Sequence, residues 1–145
     1  MEKKKFLVLD VETANDVNCP LVYDLGFAVC DKYGKIYEKQ SMLIYEVYRG
    51  ERELMNSCYY ANKIPEYEEQ IKRGETKIVR FFTAWKIIRD TMKKYNIDTI
   101  AAYNCNFDRN ALNNTIRYLT KSEYRWFFPY NTKYMCIWHM AFQVI

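Results

Sequence analysis

The chain has 145 residues, of which 50% are hydrophobic and 17% are aromatic, and tyrosine alone occurs 14 times. This composition excludes a disordered chain, and the length suits one domain that removes about two-thirds of its unfolded surface from water. The formal net charge of +4 is spread along the sequence, which favours an anionic partner but settles nothing by itself.

The five cysteines are widely spaced, with no CxxC pair and only one histidine in the chain, so they do not indicate a zinc site. We interpret them as reduced, buried thiols of a cytoplasmic protein. The apolar run after the basic N-terminus is too short for a signal peptide, and no stretch reaches the roughly 18 to 20 apolar residues of a membrane span. The sequence therefore predicts a soluble cytoplasmic protein without a membrane partner.

The first predicted strand is the apolar run at residues 6–9, which is followed by Asp10-Val11-Glu12-Thr13. Four consecutive apolar residues are typical of a strand buried on both faces of an α/β sheet. On extended backbone the carboxylates of Asp10 and Glu12 project to the same side, and they repel each other unless a cation lies between them. A divalent metal is the usual cation. The alternative is a pair of solvated acids at a strand-to-loop junction.

An antiparallel three-stranded unit is predicted next. Residues 15–20 are rich in Asn, Asp and Pro and indicate a surface connection, and a turn at residues 31–35 joins a second strand at 25–31 to a third at 36–45. After it, residues 51–73 predict two connecting helices packed on the sheet edge.

Within those two helices, Leu54, Cys58 and Ala61 would share a face of the first, Pro65 would open the second, and Gly74 would end it. A long amphipathic helix follows, because apolar residues then recur every three or four positions. The predicted core positions of this helix are Val79, Phe82, Trp85, Ile88, Met92 and Tyr95.

A second acidic segment follows another short buried strand at residues 99–103. The segment is Asn104-Cys105-Asn106-Phe107-Asp108, and it leads into a predicted helix. The apolar residues of that helix are Ala111, Leu112, Ile116 and Leu119. A strand reached through a long helix favours parallel pairing with an earlier strand.

Three segments together resemble one family. Asp10-Val11-Glu12-Thr13 is similar to the first motif, DxET, of the DnaQ-like (DEDD) 3′–5′ exonucleases, and residues 103–108 are similar to their second motif, H/Y-N-x-x-F-D. Residues 24–29 resemble the family's second strand, I-E-I-G-A-V, with Asp24 in place of its Glu. Each segment alone is weakly specific, but the three occur in the family's order.

The resemblance implies an α/β, ribonuclease H-like mixed sheet in which three antiparallel strands precede parallel strands, flanked by helices, as one exonuclease domain over residues 1–145. It also implies phosphodiester hydrolysis at single-stranded DNA or RNA 3′ ends by two Mg²⁺ or Mn²⁺ ions. Asp10 would bridge both ions, Glu12 would bind the ion that positions the nucleophile, and Asp108 would hold the other. The implied substrate contacts are Thr13 at the 3′-terminal nucleotide, with Asn104 and Phe107 shaping the loop.

The family's third motif, which carries a fourth acid and a general-base His or Tyr, is not found. After Asp108 the only acid is Glu123, and His139, the only histidine, is followed five residues later by Val144. Residues 135–145 predict an apolar helix in which His139 is an ordinary residue. We therefore expect either a fragment that lacks its C-terminal helix or a naturally short protein with an incomplete site, and activity stays open.

Residues 118–134 are aromatic and basic, which is typical of a base-stacking surface but more often of a packed loop with solvated cations.

Three functions stay open. They are a 3′–5′ exonuclease of DNA replication or repair, a non-catalytic nucleic-acid or protein-binding module on the same scaffold, and a ribonuclease H. The Glu two residues after the first Asp favours the exonuclease. Apolar sheet surface exposed by an incomplete C-terminus would favour a homodimer or a larger replication or repair assembly.

Overall fold

A computed structural model describes residues 3–137, and in it six strands form one mixed sheet in the order β4-β3-β2-β1-β5-β6. The strands are β1 (Lys5–Ala14), β2 (Leu21–Asp31), β3 (Ile36–Ile44), β4 (Lys77–Val79), β5 (Thr99–Ala102) and β6 (Lys133–Cys136). The α-helices are α1 (Tyr45–Tyr48), α2 (Arg52–Ser57), α3 (Ile64–Lys72), α4 (Phe81–Lys94) and α5 (Cys105–Thr120), and a 3₁₀ turn spans Ala61–Lys63.

The first three strands form the predicted antiparallel unit. β1 pairs with β2 along its whole length, and β2 pairs with β3 from Asp24 opposite Leu43 to Cys30 opposite Ile36. Asp31 stabilises the turn between β2 and β3, because its Oδ1 accepts the backbone N–H groups of Tyr33 and Lys35 at 2.9 and 3.2 Å.

The later strands are parallel to their neighbours. β5 pairs with β1 through Ile100 and Ala101, β6 pairs with β5, and β4 pairs with β3. The fold is therefore α/β with antiparallel strands first and parallel strands later, flanked by helices, in an arrangement consistent with the ribonuclease H-like class. This part of the expectation is confirmed.

Two short strands were not predicted. β4 begins at Lys77, and its last residue, Val79, was expected in the long helix. β6 occupies Lys133–Cys136, so the prediction of a helix from residue 135 is wrong at its start. Pairing with β5 overrides the local pattern there, and the Lys133 N–H donates to the Asp98 carbonyl at 2.8 Å. The rest of that predicted helix, with His139, lies outside the described residues.

β1 differs from its prediction in length and in burial. It continues to Ala14, so the Asp10-to-Thr13 segment lies within the strand and not in a loop after it. Leu7 and Leu9 are buried, whereas Phe6 and Val8 are only half-buried, so the expectation of burial on both faces is wrong. The reason is that α4 and α5 pack against one face of this part of the sheet.

Two hydrophobic clusters lie on opposite faces of the sheet. Met42 and Ile44 belong to the cluster under α4 and α5, while Leu43 between them belongs to a second cluster with residues of α1, α2 and α3. The helices of residues 51–73 therefore cover a sheet face, so the prediction that they pack on the sheet edge is wrong. α2 ends at Ser57, which leaves the other two residues of its expected apolar face beyond it.

The remaining helix predictions are largely confirmed. Pro65 lies in the first turn of α3, and Gly74 follows its end with the positive φ of 73° that favours glycine. α4 buries Ile88 and Met92 as predicted. Phe82 is 43% exposed instead of buried, and its neighbour Phe81 takes the core position.

Candidate active site

The two acids of β1 lie beyond the short stretch in which β1 pairs with β5, because that pairing stops at Val8. Asp10 lies opposite Gly26 of β2 and Glu12 lies opposite Asp24. Glycine places no side chain beside Asp10, and the Asp10 side chain is exposed. Asp10 and Glu12 therefore project from the same side of the sheet toward open space, as predicted.

Asp108 meets these acids from the neighbouring helix. It lies in the first turn of α5, is only 6% exposed, and accepts the backbone N–H of Val11 through Oδ1 at 3.2 Å. Val11 is the residue between Asp10 and Glu12. The structure thus brings together the three acids predicted from separate parts of the sequence, although Asp108 lies within the helix and not in a loop before it.

Asp24 is a fourth acid of this site, and no role was predicted for it. A register shift at Glu12 and Thr13 skips Tyr23, which leaves Asp24 directly opposite Glu12. The Asp24 Oδ2 accepts the hydroxyl of Tyr67 of α3 at 3.0 Å. The antiparallel pairing of β1 and β2, which was predicted from the sequence, could have indicated a role for Asp24, because the register of that pairing places Asp24 beside Glu12.

Burial, with a smaller effect of neighbouring charge, raises the pKa of three of these carboxyls. Burial raises the pKa of Asp108 to about 6, with a further contribution from the charge of Asp10, although the Val11 hydrogen bond opposes it. Burial and Asp10 likewise raise the pKa of Asp24 to about 6 against the hydrogen bond of Tyr67.

The pKa of Glu12 is also raised, first by burial and then by Asp10 and Asp24. Burial is the largest cause of each of these shifts, and neighbouring carboxylate charge adds to it, so the site favours a cation.

Lys63 is the cation that acts on Glu12, and it lowers the pKa of that carboxyl. It belongs to the 3₁₀ turn and lines a cavity of about 230 Å³ beside the acids. The other lining residues are Glu12, Asp24, Tyr60, Glu66, Tyr67 and Gln70. The helices over the second sheet face therefore contribute one wall of the site. From the sequence they were expected only to pack against the sheet.

The three predicted substrate residues surround the acids. Thr13 is half-buried on β1 directly after the register shift. Asn104 precedes α5, and its carbonyl accepts the N–H groups of Phe107 and Asp108 at 3.0 and 3.3 Å. Phe107 is partly exposed and lines a cavity with residues of the 15–20 connection.

The donor chemistry suits a hard divalent cation, since carboxylate oxygens are the ligands that Mg²⁺ and Mn²⁺ prefer. Across residues 3–137, however, no three His, Cys, Asp or Glu side chains are grouped so that they could hold a metal ion. The four acids share an electrostatic environment without forming a closed metal site.

Two further findings bear on the class of protein. In the described part of the chain, no helix combines the length and apolar character needed to cross a membrane. Comparison with protein-family models and with curated proteins finds no match to this chain.

Proposed function

We propose that this chain carries a DnaQ-like 3′–5′ exonuclease site that hydrolyses phosphodiester bonds at single-stranded DNA or RNA ends. The observation that carries the proposal is the contact of Asp108 with the backbone N–H between Asp10 and Glu12. It brings the acids of two segments that resemble exonuclease motifs to one place, although 97 residues separate the bonded pair.

Asp10, Glu12 and Asp108 are the proposed ligands of Mg²⁺ or Mn²⁺. No three such side chains among residues 3–137 are already grouped to hold an ion, so these carboxylates would have to draw closer together around it. When bound, such ions activate a water molecule and stabilise charge on the departing oxygen. The exposed Asp10 side chain is accessible to a substrate, and the Val11 N–H holds the buried Asp108 carboxylate against the strand segment between Asp10 and Glu12.

Asp24 supports the site from beside Glu12. Tyr67 orients the Asp24 carboxylate, and that negative charge favours a cation at Glu12. The third motif, which would supply the general base, is not found in this sequence. A general base contributes about 10²–10⁴-fold to the rate. We therefore expect slow hydrolysis from this chain.

The test is a time course on 5′-labelled single-stranded DNA and on its RNA counterpart, with Mn²⁺ present. We expect a ladder that shortens from the 3′ end. Asp10→Ala should lower the rate by at least about 10³-fold, because the charge stabilisation supplied by bound metal is worth several kcal/mol.

Asp90→Ala is the matched control, since Asp90 is an exposed acid on α4 that pairs with Lys86 away from the site. It should leave the rate unchanged. Internal cuts, shortening from the 5′ end, or an Asp10→Ala rate equal to that of the parent chain would each contradict the exonuclease proposal.

A second candidate function is nucleic-acid binding without cleavage on the same scaffold. Two observations support it. Within residues 3–137 no three His, Cys, Asp or Glu side chains are grouped to hold a metal ion, and Glu123 is the only acid after Asp108 in the sequence. This alternative predicts oligonucleotide binding with a steep salt dependence and no ladder at any Mn²⁺ concentration.

We also propose a cytoplasmic location. It is supported by the five widely spaced cysteines, of which Cys105 is buried and the others are half-buried.

A further inference from the structure

A groove with aromatic and cationic walls runs along α5 beside the acids. Two cavities of about 560 and 310 Å³ form it, and both are lined by Arg109, Asn113 and Trp126. The larger cavity extends toward the 15–20 connection and the smaller one toward Tyr130. We call this surface, defined by Phe107, Arg109, Asn113, Arg117, Trp126 and Tyr130, the α5 groove.

The wall opposite α5 is firmly held. Phe127 is 1% exposed, and its N–H donates to the Asn113 Oδ1 at 2.8 Å. Its carbonyl accepts Trp85 Nε1 at 3.2 Å and Arg89 Nη2 at 2.8 Å. These contacts order the segment that carries Trp126, so the adjacent aromatic side chain does not need to be ordered when a ligand binds.

Large aromatic side chains nevertheless point into solvent from this ordered segment. Trp126 is 65% exposed and Tyr130 fully exposed, next to the buried Phe127 and Phe128. Exposed large apolar side chains clustered at a concave surface mark a site of interaction. Their flat, amphipathic rings suit ligands that stack.

The cations of the groove lack carboxylate partners. Arg109 and Arg117 are eight residues apart on α5, about 12 Å along its axis, and over residues 3–137 neither forms an ion pair with a carboxylate. The Arg117 guanidinium lies 4.8 Å from the Trp126 ring centroid. The Arg109 Nε is buried without a hydrogen-bond partner among the described residues.

Three acids near the groove have hydrogen-bond partners of their own. Asp108 accepts the N–H of Val11, Asp16 accepts the N–H groups of Asn18 and Cys19, and Glu51 accepts the Tyr118 hydroxyl. The groove therefore offers unpaired positive charge between stacking rings, the combination that binds the phosphates and bases of single strands.

We propose that the α5 groove binds single-stranded polynucleotide and leads it to the acids. Phe107 and Arg109 flank Asp108 in sequence, so the groove begins at the turn that supplies this carboxylate. The assignment of the bound nucleotides as those upstream of a 3′ end rests on the proposed exonuclease function. The proposal that the groove binds a single strand does not depend on that function.

The test is fluorescence anisotropy with labelled oligo-dT and oligo-U of roughly 12 nucleotides, a length within the site sizes of single-strand binders. EDTA is present, so that hydrolysis plays no part. Trp126→Ala should weaken binding about tenfold, because one stacked base is lost. Trp126→Phe should restore most of the affinity, since its ring still stacks.

Arg117→Gln should reduce the dependence of log affinity on log salt by about 0.7, the contribution of one phosphate contact to a single strand. Arg73→Gln is its control, because Arg73 is exposed and pairs with Glu75. Tyr33→Ala is the control for Trp126→Ala, because Tyr33 is also exposed, with the Lys32 ammonium 5.0 Å from its ring.

Unchanged affinity in Trp126→Ala, or an equal loss in Tyr33→Ala, would overturn the proposal. Groove-dependent binding without a cleavage ladder would refute the exonuclease and leave the groove intact. A ladder abolished by Asp10→Ala, together with unchanged affinity in Trp126→Ala, would support the exonuclease and overturn the groove. Preference for oligo-U or oligo-dT, with the same variant effects, would identify the nucleic acid.

Discussion

The acids around β1 and the α5 groove lie on either side of the first turn of α5, and their charges are opposite. At the acidic end, burial and then neighbouring carboxylate charge raise the pKa values of Glu12, Asp24 and Asp108, and Lys63 opposes this at Glu12. In the groove, two arginines lie near exposed rings without carboxylate partners among residues 3–137.

Neither region satisfies its charge with the other. Arg109 follows Asp108 directly in sequence, yet the Asp108 carboxylate bonds to a backbone N–H and the guanidinium lies over the Tyr134 ring. At the acidic end, carboxyls with raised pKa values cost stability near neutral pH. A ligand that brings cations to one region and phosphates to the other would compensate both.

The largest effect is expected from removing the support of the groove. Phe127→Ala deletes a buried ring and should lower the free energy of unfolding by about 3–5 kcal/mol, or roughly 10 °C in Tm. Thermal and denaturant unfolding measure this loss. Tyr130→Ala, which deletes a fully exposed ring, should change stability by no more than about 0.5 kcal/mol. Equal losses in the two variants would show that the groove wall is not packed.

Asn113→Ala should have a smaller effect on stability and should test whether the groove and the acids act independently. Asn113→Ala leaves the Phe127 N–H without its acceptor and should cost about 1–3 kcal/mol. Oligonucleotide affinity should fall with it, while the effect of Mn²⁺ on stability should stay as in the parent chain. Asn106→Ala, at an exposed position of the same helix, is the stability control. A lost Mn²⁺ response in Asn113→Ala would mean that the regions are not independent.

The raised pKa of Asp24 should make the free energy of unfolding depend on pH. The pKa of Asp24 is raised to about 6, above the roughly 3.9 of an unfolded aspartate. The folded state therefore binds more protons between these values, and the contribution of Asp24 to the free energy of unfolding falls as pH rises from about 4 to about 6.

Asp24→Asn should accordingly match the parent chain near pH 4 and exceed its stability at pH 7, by about 1–2 kcal/mol after allowance for solvent screening. Denaturant unfolding at several pH values measures the difference. Asp90→Asn should show no such pH-dependent gain. An Asp24→Asn variant that is less stable at pH 7 than at pH 4, relative to the parent, would refute the repulsion.

The smallest effect concerns the orientation of Asp24. Tyr67→Phe removes the hydroxyl that lowers the pKa of Asp24, so that pKa should rise further, at a stability cost of about 1 kcal/mol. Carboxyl titration by NMR measures the shift. Tyr48→Phe removes a hydroxyl from Glu68 outside the acidic end and should leave the Asp24 titration unchanged. A lowered pKa of Asp24 in Tyr67→Phe would contradict the assignment of that hydrogen bond.

The parts of the fold predicted from sequence are those with strong local patterns. Apolar runs bounded by turn residues predicted the strands of the antiparallel unit and β5, and helical periodicity predicted α4 and α5. β4 has three residues, too few for a periodic signal, and the end of β6 lies in an apolar segment that was interpreted as a helix. Both strands depend on pairing with β3 and β5. Phe82 was misplaced because a helix with two adjacent phenylalanines does not reveal which of them faces the core.

By itself, the sequence determined that the acids Asp10, Glu12 and Asp108 lie close after apolar runs, because apolar character and alternation are local properties of the chain. Only the tertiary structure decided that Asp108 bonds to Val11, that Asp24 lies opposite Glu12, and that Trp126 is exposed beside the buried Phe127. These relations depend on strand register and on contacts between residues far apart in the chain. Such contacts form only when the sheet and its helices pack together.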